Sequence, residues 1–375
     1  MSSSDDPVLK VGVYLADQNP KRDRSLGITR MSDCLLRGLS ESGGVELNLI
    51  CTKGGFQPAY DGAKVFEFRW NTTNALARVL TDSFHPRLIG RRVQPDVWLY
   101  PKGYLPLARR ARIPRVIIVH DTILQWYQDK YPWFRSRLDY AYWLWRLRFS
   151  IRHADSILAV SETAKAQILA LAERFDLGQP KIDVIFEASE FEERPIADPP
   201  SLGGYAVHLA STFPHKKTLW LLETWEKLQQ SGASLPPLKL IGTVPSSATA
   251  LVERLSHVER LPRLEEAAFV TMIAQAGALI LPSEIEGFGL PALEAWYFGT
   301  PVVFAEGSSV EEIMSGLAFD GRFSLSSPES LERSLARAMD LSASEVSASR
   351  AHLKDRFSIK KFAATVYHRL LERVR

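Results

Sequence analysis

The chain holds only two cysteines, Cys34 and Cys51, in 375 residues. That excludes a disulfide framework and favours a reducing compartment. No apolar run reaches the roughly 18 residues that a membrane-spanning helix requires. Met1 to Pro7 is rich in Ser and Asp and does not read as a secretory leader. The expected location is therefore the cytoplasm, at most peripheral on the inner face of a membrane. Charge of neither sign dominates. Lys and Arg number 46 against 43 Asp and Glu, and the net charge of +3 is too small to argue for nucleic acid. An Asp-x-Asp pair is missing, and the Cys and His residues show no metal-ligand spacing, so neither a metal nor another cofactor is expected.

What the chain does have is length, apolar content and aromatics. At 375 residues it exceeds one ordinary core, and two domains are the natural division. Short apolar runs at Val8 to Ala16, Val45 to Cys51, Ala63 to Phe68, Asp96 to Tyr100, Arg115 to Val119, Ala154 to Ser161 and Ile182 to Phe186 alternate with helical or loop segments. That alternation means a parallel, doubly wound α/β sheet. Pro195, Pro199 and Pro200, with Gly203 and Gly204 behind them, form the Pro/Gly-rich connector in mid-chain. Strands at Tyr205 to Leu209 and Leu238 to Gly242 open a second unit of the same kind. The expected division is residues 1–195, a linker at 196–204, a second domain at 205–358 and a last helix at 359–375.

Leu281 to Val303 carries the strongest local signal. An apolar run ends at Pro282, a loop holds Glu284, Glu286, Gly287, Phe288 and Gly289, and Pro291 opens a helix that Gly299 closes. The amides of Phe288 to Ala292 at that helix start would face a phosphate or a ring hydroxyl. Glu286 and Glu294, with seven residues between them, can each accept from a different hydroxyl of one ligand. The string EGFGLPALEA followed by GTPVV resembles the signature of the retaining nucleotide-sugar glycosyltransferases of family four. Those enzymes have two Rossmann-like domains facing across a cleft, the GT-B fold. The resemblance implies that Glu286 contacts the donor sugar and Glu294 the ribose, with Gly287, Phe288, Gly289 and Leu290 lining the donor site.

The same resemblance runs along most of the chain, dense after Tyr205 and patchy before His120. It places Gly27 over the donor phosphates, with Arg30 as a phosphate partner. His120 and Asp121 follow a central strand, where ligands of such sheets bind. His120 would donate to a sugar hydroxyl or assist the acceptor, and Asp121 would fix its tautomer or cap the next helix. After Ile182 to Phe186 comes Glu187-Ala188-Ser189, where the family more often has Asn-Gly. Pro214-His215-Lys216-Lys217 resembles the loop whose lysine binds the donor diphosphate, which gives Lys216 that role. The family arginine a few residues earlier is missing, and His215 and Arg30 are the candidates to stand in for it. Gly242 lies where the base or ribose is held.

The activity implied is transfer of a hexose, with retention and without a metal, from a GDP- or UDP-linked sugar to a hydroxyl of a glycan or lipid-linked acceptor, as in bacterial surface polysaccharide synthesis. A sugar-nucleotide epimerase and a non-catalytic donor-binding subunit are the alternatives of other classes.

One segment stays open. In Trp133 to Arg152 the stripe Phe134, Leu138, Tyr142, Trp145 and Phe149 reads as ordinary core. Tyr140, Trp143, Leu144 and Leu147 make a second stripe, with arginines interleaved. This second face either packs between layers or contacts a membrane.

Overall fold

The computed structural model describes residues 8–18, 26–53, 55–56, 60–68, 70, 75–89, 92–109, 113–194 and 203–375. The expected linker prolines lie outside the described residues, as does most of the polar loop after the first strand. The chain divides into two compact units, Met1–Glu190 with Phe357–Arg375, and Phe191–Arg356.

The first unit runs β1 (Leu9–Tyr14), α1 (Leu26–Glu41), β2 (Val45–Thr52), β3 (Lys64–Phe68), α2 (Ala75–Ile89), β4 (Val97–Tyr100) and β5 (Arg115–Val119). It continues with α3 (Ile123–Lys130), α4 (Arg137–His153), β6 (Ser156–Ala159), α5 (Glu162–Arg174) and β7 (Ile182–Val184). Its strands form one parallel sheet in the order β3-β2-β1-β4-β5-β6-β7. β4, β5 and β6 are buried along their whole length. That explains their unbroken apolar reading, since helices cover both faces of a parallel sheet.

The second unit runs β8 (Ala206–Ala210), α6 (Thr218–Gln230), β9 (Leu238–Gly242), α7 (Thr249–Arg254), β10 (Val258–Leu261), α8 (Glu266–Ala274) and β11 (Ala278–Leu281). Then come α9 (Leu290–Tyr297), β12 (Val302–Ala305), α10 (Val310–Met314), β13 (Arg322–Phe323), α11 (Pro328–Met339) and α12 (Ala343–Arg356). The sheet is parallel in the order β10-β9-β8-β11-β12-β13. The last helix, α13 (Ile359–Val374), belongs to the first unit and lies against α1. Ser358 caps it by accepting from the Lys361 amide, and Ile359, Phe362, Ala363, Val366 and Leu370 bury one stripe at spacings of three and four.

The aromatic helix α4 faces the other way from its expected orientation. Tyr140, Leu144, Leu147 and Ile151 are buried, and Trp143 packs on Tyr104 with ring centroids 5.2 Å apart. Of the stripe expected to be core, Leu138 is 84% exposed and Trp145 49%, while Phe134, Tyr142 and Phe149 are half-buried. The periodicity correctly showed two apolar faces, but it carries no sign telling inside from outside. On the buried side, Arg146 donates to the Leu105 carbonyl at 3.1 Å. Tyr140, Leu144 and Leu147 are therefore closed to a membrane.

Candidate active site

In each sheet the strand order reverses direction at one place, β1/β4 in the first unit and β8/β11 in the second. Ligands of open α/β sheets bind beyond the carboxyl ends of strands at such a point. The loops after β8 and β11 carry Lys216 and Glu286.

Loop geometry brings these two residues together. The Lys216 ammonium donates to Glu286 Oε1 at 2.5 Å, and Lys217 pairs with Glu284 at 3.0 Å. The Glu284 amide also donates to the His215 carbonyl at 2.9 Å, which ties the two loops by backbone. Lys217 caps α6 with φ +53, a left-handed conformation uncommon for a residue other than glycine. Underneath, buried His208 receives its tautomer from its neighbours. Its Nδ1 donates to the Ile280 carbonyl at 3.0 Å, so Nε2 accepts from the Thr218 hydroxyl at 2.9 Å. Thr218 in turn accepts from the Ser211 amide at 3.1 Å, and β8, β11 and the Lys216 loop are locked as one piece.

The Glu286 loop is held from behind. The Ser309 hydroxyl lies 3.1 Å from the Glu286 carbonyl and 2.9 Å from that of Phe288. Gly289 turns the chain into α9 with φ +109, and an added Cβ would sit 2.9 Å from Val310 Cγ2, so both backbone and space require glycine. The Ala292 amide donates to the Gly289 carbonyl at 2.9 Å. It is thereby removed from the expected set of ligand-facing amides. Gly289 and Leu290 keep amides with no internal partner. Glu294 is the fifth residue of α9 and 6% exposed, on a helix buried around its whole second half. The helix ends as expected. The amides of Gly299 and Thr300 donate to the Trp296 and Ala295 carbonyls at 3.0 and 2.8 Å.

Electrostatics separate the charged groups. Burial alone would raise the Glu286 carboxyl, but Lys216, His215 and a hydrogen bond from Ser283 hold it below the usual carboxylate range. His215 is pushed down to about 4 by burial and by Lys216. It is neutral at neutral pH and does not supply the charge of the missing arginine. Gly242 ends β9 beside Ala210 of β8.

In the first unit, His120 follows β5 and spends both ring nitrogens on protein acceptors. Nδ1 lies 2.8 Å from Glu187 Oε1 and Nε2 lies 2.8 Å from the Pro101 carbonyl. Burial would lower the imidazole, but Glu187 and Pro101 outweigh it and raise it. The group that orients His120 is thus Glu187, not Asp121. Asp121 accepts from the amide of Ile123, the first residue of α3, at 2.9 Å. Arg30 is paired with Glu190 at 2.6 Å, which satisfies its charge inside the protein. Gly27 lies in the first turn of α1, where an added Cβ would meet nothing within 4 Å.

Sequence reasoning missed two supports, namely Glu187 and His208. Only Glu187 gave a signal, as the residue standing where the family has Asn-Gly. Among the described residues no group of three or more His, Cys, Asp or Glu is placed to hold a metal ion.

Two family models match, Glycosyltransferase Family 4 over residues 27–186 and Glycosyl transferases group 1 over residues 204–341. The chain belongs to the family-four type of glycosyltransferases. This glycosyltransferase is similar to the O-antigen chain mannosyltransferase RfbU of Salmonella typhimurium, 24% identical over 56% of each chain. It therefore spans about half the length of that curated relative. Its fold is similar to the sucrose-phosphate synthase of Thermosynechococcus elongatus, with a TM-score of 0.73 at 12% identity over 97% of this chain and 99% of the other. The Anabaena protein HepE, solved with UDP and glucose, gives 0.64 at 15% identity over 97% and 100%. At these identities the likeness is one of fold, and the fold is GT-B. Among the described residues no helix is long and apolar enough to cross a membrane.

Proposed function

We propose that this glycosyltransferase moves a hexose from a nucleotide diphosphate sugar to a hydroxyl of a glycan or lipid-linked acceptor, with retention at the anomeric carbon. The observation that carries the reading is the Lys216–Glu286 pair at the switch point of the second sheet, with Glu294 eight residues further along. Lys216 meets the charge that grows on the departing diphosphate, helped by the amides of Gly289 and Leu290. A bound diphosphate competes with Glu286 for the ammonium and leaves that carboxylate to face the sugar. Glu286 and the leaving phosphate then flank the oxocarbenium-like transition state. Glu294 takes the ribose hydroxyls, and Gly287 with Phe288 completes the wall.

His120 has a different part. With both N–H groups committed, it acts as a fixed positive charge and hands no proton to substrate. Gly242, at the end of β9, is assigned to donor binding. Resemblance to an O-antigen mannosyltransferase makes mannose the first sugar to try, and HepE's UDP makes uridine diphosphate a carrier to set against guanosine diphosphate.

The test is a split between binding and turnover. Glu294→Ala weakens donor binding in titration calorimetry, because ribose is held alike in ground and transition states, whereas Glu286→Ala lowers turnover by about 10²-fold or more. Transfer persists in excess chelator. If both variants bind and turn over like wild type, or if EDTA abolishes transfer and magnesium restores it, the assignment fails.

A further inference from the structure

Helix α2 is inside out. Its inward side carries Thr81, Asp82, Ser83 and His85, none more than 7% exposed. Thr81 and Asp82 are hydrogen-bonded, whereas the buried His85 Nδ1 has no hydrogen-bond partner. Tyr14 donates to Asp82 Oδ1 at 2.6 Å, the Trp70 indole donates to the Thr81 hydroxyl at 2.8 Å, and His85 stacks on Tyr14 at 3.9 Å. Its outward side is apolar. Leu76, Leu80, Phe84 and Leu88 recur every four residues and are 69%, 50%, 39% and 52% exposed. Side chains four apart stack on one face, so they form a continuous ridge roughly 18 Å long. Leu107 is also exposed, and the amide of the next residue donates to the Ser83 carbonyl of α2 at 3.0 Å.

A helix facing water places these two sets the other way round. Scattered exposed leucines need no account, but a contiguous ridge opposite a buried polar face implies an apolar medium outside. We propose that α2 lies flat on the surface of an anionic lipid bilayer, its leucine ridge entering the acyl boundary. Charge selects this occupant. The helix's single acidic residue, Asp82, is turned inward, while Arg87 and Arg92 are exposed at the C-terminal end of the ridge. Cations at that edge are drawn to acidic headgroups. A second copy of the chain paired in parallel would set each arginine edge close to its own duplicate. This contact differs in place from the α4 stripe considered from sequence, most of which is core.

The experiment is co-sedimentation of the full chain with vesicles of phosphatidylcholine plus phosphatidylglycerol, against phosphatidylcholine alone, at low and high salt. Wild type is expected to bind the anionic vesicles and to release as salt rises. The double change Leu80→Ser with Phe84→Ser, both at exposed positions, is expected to keep the thermal midpoint while binding falls by about tenfold or more. Arg87→Glu with Arg92→Glu keeps the fold and loses only the preference for anionic lipid, and it decides the matter if the serine pair fails to fold. The proposal is overturned if wild type binds no vesicle or if the variants bind like wild type. It is equally overturned if wild type is a dimer that the serine pair splits, since a second copy then covers the ridge.

Discussion

Lys216–Glu286 in the second unit and His120–Glu187 in the first are cation–carboxylate contacts beyond the carboxyl end of a sheet, and the two are built differently. Lys216 and Glu286 are 27% and 12% exposed at the side chain, whereas His120 and Glu187 are 14% and 4%. An ammonium carries three protons, and Lys216 directs only one at Glu286. An imidazolium carries two, and His120 has spent both. The lysine pair therefore has capacity left for a ligand and can open, while the histidine pair is closed and holds together the segments that follow β4, β5 and β7. A charged contact near a switch point is thus not by itself a binding group. What separates the two is whether donors remain after the protein has been served.

Removing one carboxylate should produce the largest break in this comparison. Glu187→Ala leaves a buried imidazole with one nitrogen unanswered, and breaking a buried pair costs about 3–5 kcal/mol. The expected outcome is a large drop in the urea midpoint. A loss under about 1 kcal/mol would mean that this contact is as open as a surface pair and that the contrast is wrong.

Lys216→Ala should show the reverse profile. Glu286 retains its bond from Ser283 and the Lys216 side chain is partly exposed, so the stability loss stays below that of Glu187→Ala. Turnover, in contrast, falls by about 10²–10³-fold, the usual effect of deleting a group that meets transition-state charge. Steady-state transfer and denaturant melts on the same two variants measure both columns. Equal stability losses with unchanged turnover would make Lys216 a structural residue.

Much of this was legible in the sequence, and the parts that were not have physical reasons. The parallel strands read directly because both faces are buried, which leaves unbroken apolar runs such as Arg115–Val119. The Glu286 loop read well because Pro291, Gly289 and Gly299 each answer a local backbone demand. By comparison, α12 gave no signal. Its residues ASEVSASRAHLKDR offer little more than Val346 and Leu353 to burial, and its place is set by contact with α9. Orientation was equally hidden for α4, since apolar spacing has no sign, and for α2, whose burial runs against the rule that reads apolar as inside. Glu187 lies 67 residues from His120, and a contact across that span follows from sheet order, which local pattern does not reveal.

The smallest effect expected is on pH dependence, because burial opposes the pair at both sites and the net shifts are what remains after that opposition. The signs differ. The folded pKa of His120 is raised above its ordinary 6.5, so its contribution to stability is full below 6.5 and is lost as pH rises through the folded value. The folded pKa of Glu286 is lowered from 4.5, so its contribution is full above 4.5 and is lost as pH falls through the folded value. Both are complete only between those limits. Glu187→Gln keeps the shape but removes the charge, and should flatten the alkaline limb of stability against pH while leaving the acid limb. Lys216→Met should flatten the acid limb alone. Urea midpoints measured from acid to mildly alkaline pH on wild type and the two variants resolve this. If Glu187→Gln leaves the alkaline limb unchanged, His120 is not held as an imidazolium, and the closed pair of the first unit is a neutral hydrogen bond.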